Sequence, residues 1–366
     1  MYSCSHQIKH RIFVLIWLLS SVALAGCGTL TTWRADHQYR EKGNDSAEYK
    51  AEKDSKLQET AQLYGLMALL SEAVYRRDLS RDIRDDKGCA YVKADADTPT
   101  PEYGMPASHD ERWKRWVPKP PANDLTPGNS TTPANACWDD ESGLYYETYV
   151  LERDGKIVEA VIAFRGTENR PGQTFRDWRS NIAAFFGFEP EQYAAARQHL
   201  PTLIEALKKS FIEYDVKPVI YATGHSLGGG LAQQAGYMSP DILEVFTFNT
   251  SPITNWSQLA LDGEVRNAYP IIHRVYHGGE FLENPRFVST SATKARFGRH
   301  DVGVQLDVRS LVGGHSIQLI ACEFARSILE SGIDEAPHGY SSSWIRNVLL
   351  DNTRRNQPCS PKMAGA

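Results

Sequence analysis

Near the middle of the chain an apolar run, Val219-Ile220-Tyr221-Ala222, leads into Thr223-Gly224-His225-Ser226-Leu227-Gly228-Gly229-Gly230. A serine with glycines two residues before and after it, behind a strand-like run and ahead of a small-residue helical stretch, is the pattern of a nucleophile elbow. The turn is sharp and strained, and Gly224 and Gly228 suit it because they lack a Cβ. The chemistry implied is nucleophilic attack by Ser226. A serine hydroxyl is a weak nucleophile near neutral pH, so it needs a base within hydrogen-bond reach and an acid to orient that base. Donors for a developing oxyanion are needed too, and the N–H of Leu227 stands at the positive end of the following helix.

Acid and base follow the serine in that order when a strand, a sharp turn and a helix present it in this way. The histidines after Ser226 are His273, His277, His300, His315 and His338. His315 lies in Val312-Gly313-Gly314-His315-Ser316, between the last strand and the C-terminal helix, where a loop can carry an imidazole over to the serine. It is the expected base. The expected acid is Glu280, which follows a strand through His277-Gly278-Gly279; Asp301 stands next, and Glu283, Asp262 and Asp307 are further alternatives. A second oxyanion donor belongs in the loop after an early strand, which points to Thr167 in Phe164-Arg165-Gly166-Thr167. Arg165 in the same segment reads as structural, since a fixed cation there can bond nearby carbonyls or carboxylates. No Cys, His or acid spacing resembles a zinc site, and no cofactor is expected.

These residues need a scaffold. Leu57 to Tyr75 is a helix candidate, with Leu63, Met67, Leu70 and Val74 recurring at three- and four-residue steps and Tyr64, Ala68 and Tyr75 widening the face. Residues 77–133 lose periodicity and collect prolines. They read as a long surface excursion, pinned to the core by Trp113 and Trp116. Leu144 to Leu151 and Lys156 to Phe164 read as a hairpin turning at Arg153-Asp154-Gly155. A helix is expected over Glu191 to Tyr214. Short apolar strands follow at Val219 to Ala222, Leu243 to Phe248 and Ile271 to Tyr276, and a half-exposed one around Val302 to Val308. Ile317, Ile320, Ala321, Phe324, Ile328 and Leu329 form a last helical stripe, with Gly332 as its stop. Strands alternating with helices favour a mostly parallel central sheet with helices on both faces, an α/β fold with right-handed crossovers.

The chain has 366 residues, is 41% hydrophobic and carries a formal net charge of −5, which gives no hint of a nucleic-acid partner. Its start is distinctive. Lys9 and Arg11 precede an unbroken apolar run from Ile12 to Leu19, and the segment closes on Leu24-Ala25-Gly26-Cys27. That tetrad resembles the lipobox of bacterial lipoproteins, which implies cleavage before Cys27, lipid on its thiol and membrane attachment through the acyl anchor. Gly28 in place of an aspartate implies the outer membrane. The chain would then comprise a signal peptide at residues 1–26, a polar tether at 27–55, a catalytic domain at 56–350 and a tail at 351–366. Without the first 26 residues it carries 38 basic against 45 acidic residues, so overall charge supplies no basic patch for anionic headgroups. Cys89, Cys137, Cys322 and Cys359 suit an oxidising compartment and allow three pairings, with Cys89–Cys137 and Cys322–Cys359 the expected one. Oligomeric state is not legible.

Taken together, four segments resemble the class 3 lipase family of α/β-hydrolases. They are Ile162 to Thr167, Asp177-Trp178 with Asn181, Thr223 to Gly229, and Thr247-Phe248 with Ser251-Pro252. The stretch Arg274 to Glu280 is similar to the family's strand leading to its acid. The resemblance spans about residues 57–329. It implies Ser226 as nucleophile, His315 as base, Thr167 and Leu227 as oxyanion donors, and lipid or other carboxylic esters as substrates. It also implies a lid, for which Thr174 to Phe188 is the candidate. Two positions depart from the family: Glu280 stands where aspartate is usual, and Asn249 where glycine is usual. Lipid hydrolysis is the expected activity. Acyl transfer, non-lipid ester hydrolysis and a non-catalytic role in binding or envelope assembly are the alternatives.

Overall fold

The structure is a computed structural model. It describes residues 37–38, 47–75, 113–116, 137–139, 142–166, 190–212, 216–253, 270–280, 282, 300–306 and 313–332. All belong to residues 37–366, one of the two units into which the chain divides. The elements in chain order are β1 (His37–Gln38), α1 (Ala47–Ala73), β2 (Trp113–Arg115), β3 (Cys137–Asp139), β4 (Tyr145–Arg153) and β5 (Lys156–Phe164). Then come α2 (Glu191–Ile212), β6 (Ile220–His225), α3 (Leu227–Met238), β7 (Ile242–Phe248), β8 (Ile271–His277), β9 (His300–Leu306) and α4 (Ile317–Ser331). A single 3-10 turn, Gly313–His315, precedes α4.

The strands form one sheet in the order β1-β9-β8-β7-β6-β5-β4-β2, with β3 also on β4. From β5 to β9 neighbouring strands are consecutive and parallel, and β1 continues the parallel set. The β4–β5 hairpin is antiparallel, and its turn places Asp154 at φ 52 and Gly155 at φ 72. Two left-handed residues make a two-residue turn whose twist matches that of the strands. This is the mixed α/β, mostly parallel architecture expected from the alternating pattern.

Each strand face has its own core, because successive side chains point to opposite sides. Val161 and Ala163 of β5 face a cluster built from α1 and α4, which includes Met67, Leu70, Phe324 and Ile328. Ala160, Ile162 and Phe164 face a second cluster built from α2 and α3, including Leu200, Leu207, Leu231 and Ala235. The helices α2 and α3 connect β5 to β6 and β6 to β7 and share one face, as crossovers of one hand require. Burial on both faces explains why the central strands read as continuous apolar runs.

Three sequence expectations need correction. First, α1 begins at Ala47 and so takes in the last part of the segment read as a tether. Ala, Glu and Lys between positions 47 and 55 favour helix, and extending an existing helix costs little even without an apolar face. Second, Leu63 does not share the buried face of α1: it is 53% exposed, while Tyr64, Met67, Ala68, Leu70 and Val74 are buried. Third, the excursion over 77–133 contains a strand, since β2 pairs antiparallel with β4. Trp113 begins it and Trp116 follows it; both are buried, one in each core, so the tryptophans anchor the segment as expected.

Candidate active site

The turn between β6 and α3 is built by close backbone approach. Ser226 sits at φ 56, ψ −125, outside the ordinary regions for an L-residue. A Cβ on Gly224 would collide with the carbonyl of Gly228, and one on Gly228 would collide with the carbonyl of Phe164 at the end of β5. The carbonyl of Ser226 accepts from Gly229 N at 3.0 Å and from Ser251 N at 2.9 Å, and its own N–H donates to Phe248 O at 3.1 Å. The strained residue is thus held by β7 and the loop after it as well as by its own helix.

Two loops bring side chains to Ser226. His315 Nε2 lies 3.0 Å from Ser226 Oγ, and His315 Nδ1 lies 3.0 Å from Glu280 Oε2. Facing a carboxylate, Nδ1 carries the ring proton of the neutral imidazole and leaves Nε2 as the acceptor for the serine hydroxyl. The same Glu280 oxygen accepts the N–H of Leu282 at 2.9 Å, and the Glu280 side chain is fully buried. Gly279, at φ 78, makes the turn that brings Glu280 round. Glutamate therefore spans the gap to His315 at this position despite its extra methylene.

The alternatives lie elsewhere. Asp301 is the second residue of β9, opposite Ile272, whereas His277 at the site end of β8 is opposite Leu306. Five residues of strand separate the two levels, roughly 16 Å. His300 begins the same strand. His273 lies within β8 and bonds Glu244 and Tyr64. Thr167, the lid candidate Thr174 to Phe188, Cys27, Asp262, Glu283, Asp307 and His338 lie outside the described residues, as do Cys89 and Cys359. Cys322 is disulfide-bonded. Leu227 opens α3, so its N–H has no acceptor within the helix. A Cβ on Gly166 would stand 3.1 Å from that nitrogen, which sets the end of the β5 segment beside it. Among the described residues, no group of three or more His, Cys, Asp or Glu could hold a metal ion.

Several residues that secure the site went unassigned in the sequence. Asn249 adopts φ 41, the conformation for which glycine is usual, and its carboxamide does what glycine cannot. Its Oδ1 accepts His277 N at 3.0 Å and its Nδ2 donates to Gly314 O at 2.8 Å. It joins the end of β8 to the turn that bears His315. The buried His277 donates Nδ1–H to the same Gly314 carbonyl at 2.9 Å, and its Nε2 lies 3.6 Å from Glu323 on α4. Behind the elbow, Gln233 of α3 donates to Thr250 Oγ1 at 2.9 Å and accepts from Arg274 Nη1 at 2.8 Å. Arg165 is buried with its guanidinium 4.0 Å over the Tyr145 ring, a structural use in keeping with expectation. The sequence signal for Asn249 was its departure from glycine; for His277 and Gln233 there was none.

Similarity to known proteins adds to this geometry. No curated protein matches the chain. Among solved structures, the Francisella virulence factor BioJ is 10% identical over 50% of this chain and 75% of its own, with a TM-score of 0.29. A hyperthermophilic esterase from the archaeon Pyrobaculum calidifontis is 12% identical over 76% of this chain and 89% of its own, with a TM-score of 0.30. Such scores are too low to describe a shared fold. The pattern of the Tle-like phospholipase domain, by contrast, matches residues 66–255, just over half of the chain, and takes in the elbow and the strands on either side of it. The chain belongs to this phospholipase-like family and is a lipase- or phospholipase-type hydrolase.

Proposed function

We propose that the protein is a serine hydrolase of the α/β-hydrolase type, close to the class 3 lipases, that cleaves carboxylic esters of lipids in the manner of a phospholipase A. The observation that carries the reading is the unbroken line from Ser226 Oγ through the His315 ring to Glu280, with the serine at positive φ. His315 takes the proton as Ser226 Oγ attacks the acyl carbonyl, while Glu280 holds the ring and stabilises its charge. The N–H groups of Leu227 and Thr167 receive the oxyanion. His315 then protonates the leaving alcohol, the acyl group stays on Ser226, and a water activated by His315 releases it. Glu280 and His315 lie beyond the matched residues 66–255, so their roles rest on geometry.

The lipobox-like end at Cys27 supports a lipid anchor in the bacterial outer membrane. Such an anchor would raise the local concentration of lipid ester at the site. None of the described helices is long and apolar enough to cross a membrane itself. Covalent labelling by a fluorophosphonate tests the chemistry. Wild type should be labelled and Ser226→Ala should not, and ester turnover in Ser226→Ala should fall by on the order of 10⁴-fold or more. A folded wild-type protein that takes no label would sink the reading. Cys27→Ser should release the protein from membranes, and continued fractionation with them would argue against the anchor.

A further inference from the structure

His225, the residue before the serine, is not idle filler in the elbow. Its Nε2 lies 2.6 Å from the backbone carbonyl of His315, and the two rings stand 4.8 Å apart. A carbonyl only accepts, so this nitrogen carries a proton. In a neutral ring Nδ1 is then an acceptor, and Tyr75 Oη lies 3.0 Å from it. The Tyr75 hydroxyl therefore donates to the ring, with the His225 carbonyl a longer second acceptor at 3.3 Å, and its oxygen accepts the N–H of Gly166 at 2.8 Å. One assignment satisfies these three contacts together: Gly166 N–H to Tyr75, Tyr75 O–H to His225, His225 Nε2–H to His315 C=O. All four dipoles run the same way, which strengthens each bond.

The line joins four separate stretches: the end of α1, the end of the β5 segment, the elbow and the turn bearing His315. Only glycine fits at position 166, because a Cβ there would stand 2.6 Å from both the Tyr75 oxygen and the His225 carbonyl. His225 cannot itself serve Ser226 as base, since its donor and acceptor are both engaged. We propose that His225, set in one tautomer by Tyr75, is a positioning residue that locks the backbone of His315 to the residue adjoining the nucleophile. This rests on the serine-hydrolase reading. Its consequence is that the distance from Ser226 to His315 is fixed by a side chain one residue from the serine, in addition to Glu280.

The test uses the full-length protein, hydrolysis of a p-nitrophenyl ester and the rate of fluorophosphonate labelling. His225→Phe keeps a ring and loses both hydrogen bonds, while His225→Gln keeps an amide donor and acceptor and loses the ring. We expect His225→Phe to lower kcat about 100-fold with KM within about 2-fold, as for a base displaced by about 1 Å. His225→Gln should recover to within about 10-fold of wild type. Tyr75→Phe, which removes one oxygen, should lower kcat about 10-fold alone and add little in the His225→Phe background, because both act through one line. A His225→Phe enzyme as active as His225→Gln would mean the ring matters by packing and would overturn the proposal. So would an unchanged kcat in Tyr75→Phe, a readout that stands even if the His225 variants fail to fold. Normal wild-type labelling with either of these results overturns this inference alone; wild type without label overturns the underlying function as well.

Discussion

His315 meets Glu280 at 3.0 Å, and His273 meets Glu244 at 2.9 Å. The chemistry of the two contacts is the same, but their surroundings differ. Glu280 is wholly buried at the end of the parallel strands, where loops from distant parts of the chain converge, and the second nitrogen of His315 faces a strained serine. Glu244 is 36% exposed near the start of β7, and His273 lies within β8 with its ring stacked on Phe246 at 4.7 Å. The second nitrogen of His273 takes the Tyr64 hydroxyl of α1 at 3.2 Å. That pair fastens a helix to a sheet. In the proposed mechanism a histidine–carboxylate contact serves catalysis through what lies on the other nitrogen, and the ends of parallel strands are where a sheet can bring a nucleophile there.

The largest effect is expected at the acid. Glu280→Gln should lower kcat by about 10³–10⁴-fold, because the amide no longer fixes the ring in one tautomer or stabilises its charge. Asp301→Asn, measured beside it, should turn over nearly as wild type; the reverse ranking would show that the acid was wrongly assigned. A smaller effect is expected at Asn249. Asn249→Gly keeps the backbone conformation and deletes the bridge between His277 and Gly314. It should cost about 1–3 kcal/mol in urea unfolding and lower kcat about 10-fold as the His315 turn loosens. Activity equal to wild type would make that bridge irrelevant to the site. The smallest effect belongs to the other pair. His273→Gln should leave kcat within about 2-fold and reduce stability by about 1 kcal/mol, the order of a hydrogen bond. A large loss of activity there would erase the distinction between the two regions.

Local geometry was legible in advance wherever short-range sterics set it. The Asp154-Gly155 turn, the Gly332 stop and the elbow glycines each need a backbone conformation or a close approach that few residues tolerate. Strand runs were legible because burial on both faces leaves them apolar. The start of α1 was not, because residues 47–55 carry helix propensity without an apolar face to reveal it. The strand at Trp113 was hidden by its length of three residues, too short for a period to appear.

The sequence alone determined the nucleophile candidate, its glycines and the order of acid and base, since all depend on neighbours within a few positions or on chain order. It also narrowed the base to a glycine-flanked histidine before the last helix. It left the acid open among five carboxylates, because nothing local distinguishes a glutamate that will be buried against an imidazole from one that will stay in water. Only tertiary structure shows which carboxylate meets the imidazole. It set the β8 turn against the His315 turn, so Glu280 came within 3.0 Å while Asp301 stayed at the far end of β9. It also gave Tyr75, His225 and Asn249 their partners, 150, 90 and 65 residues away in the chain. Hydrogen bonds over such separations have no local signature, because they form only once the sheet has brought its strand ends together.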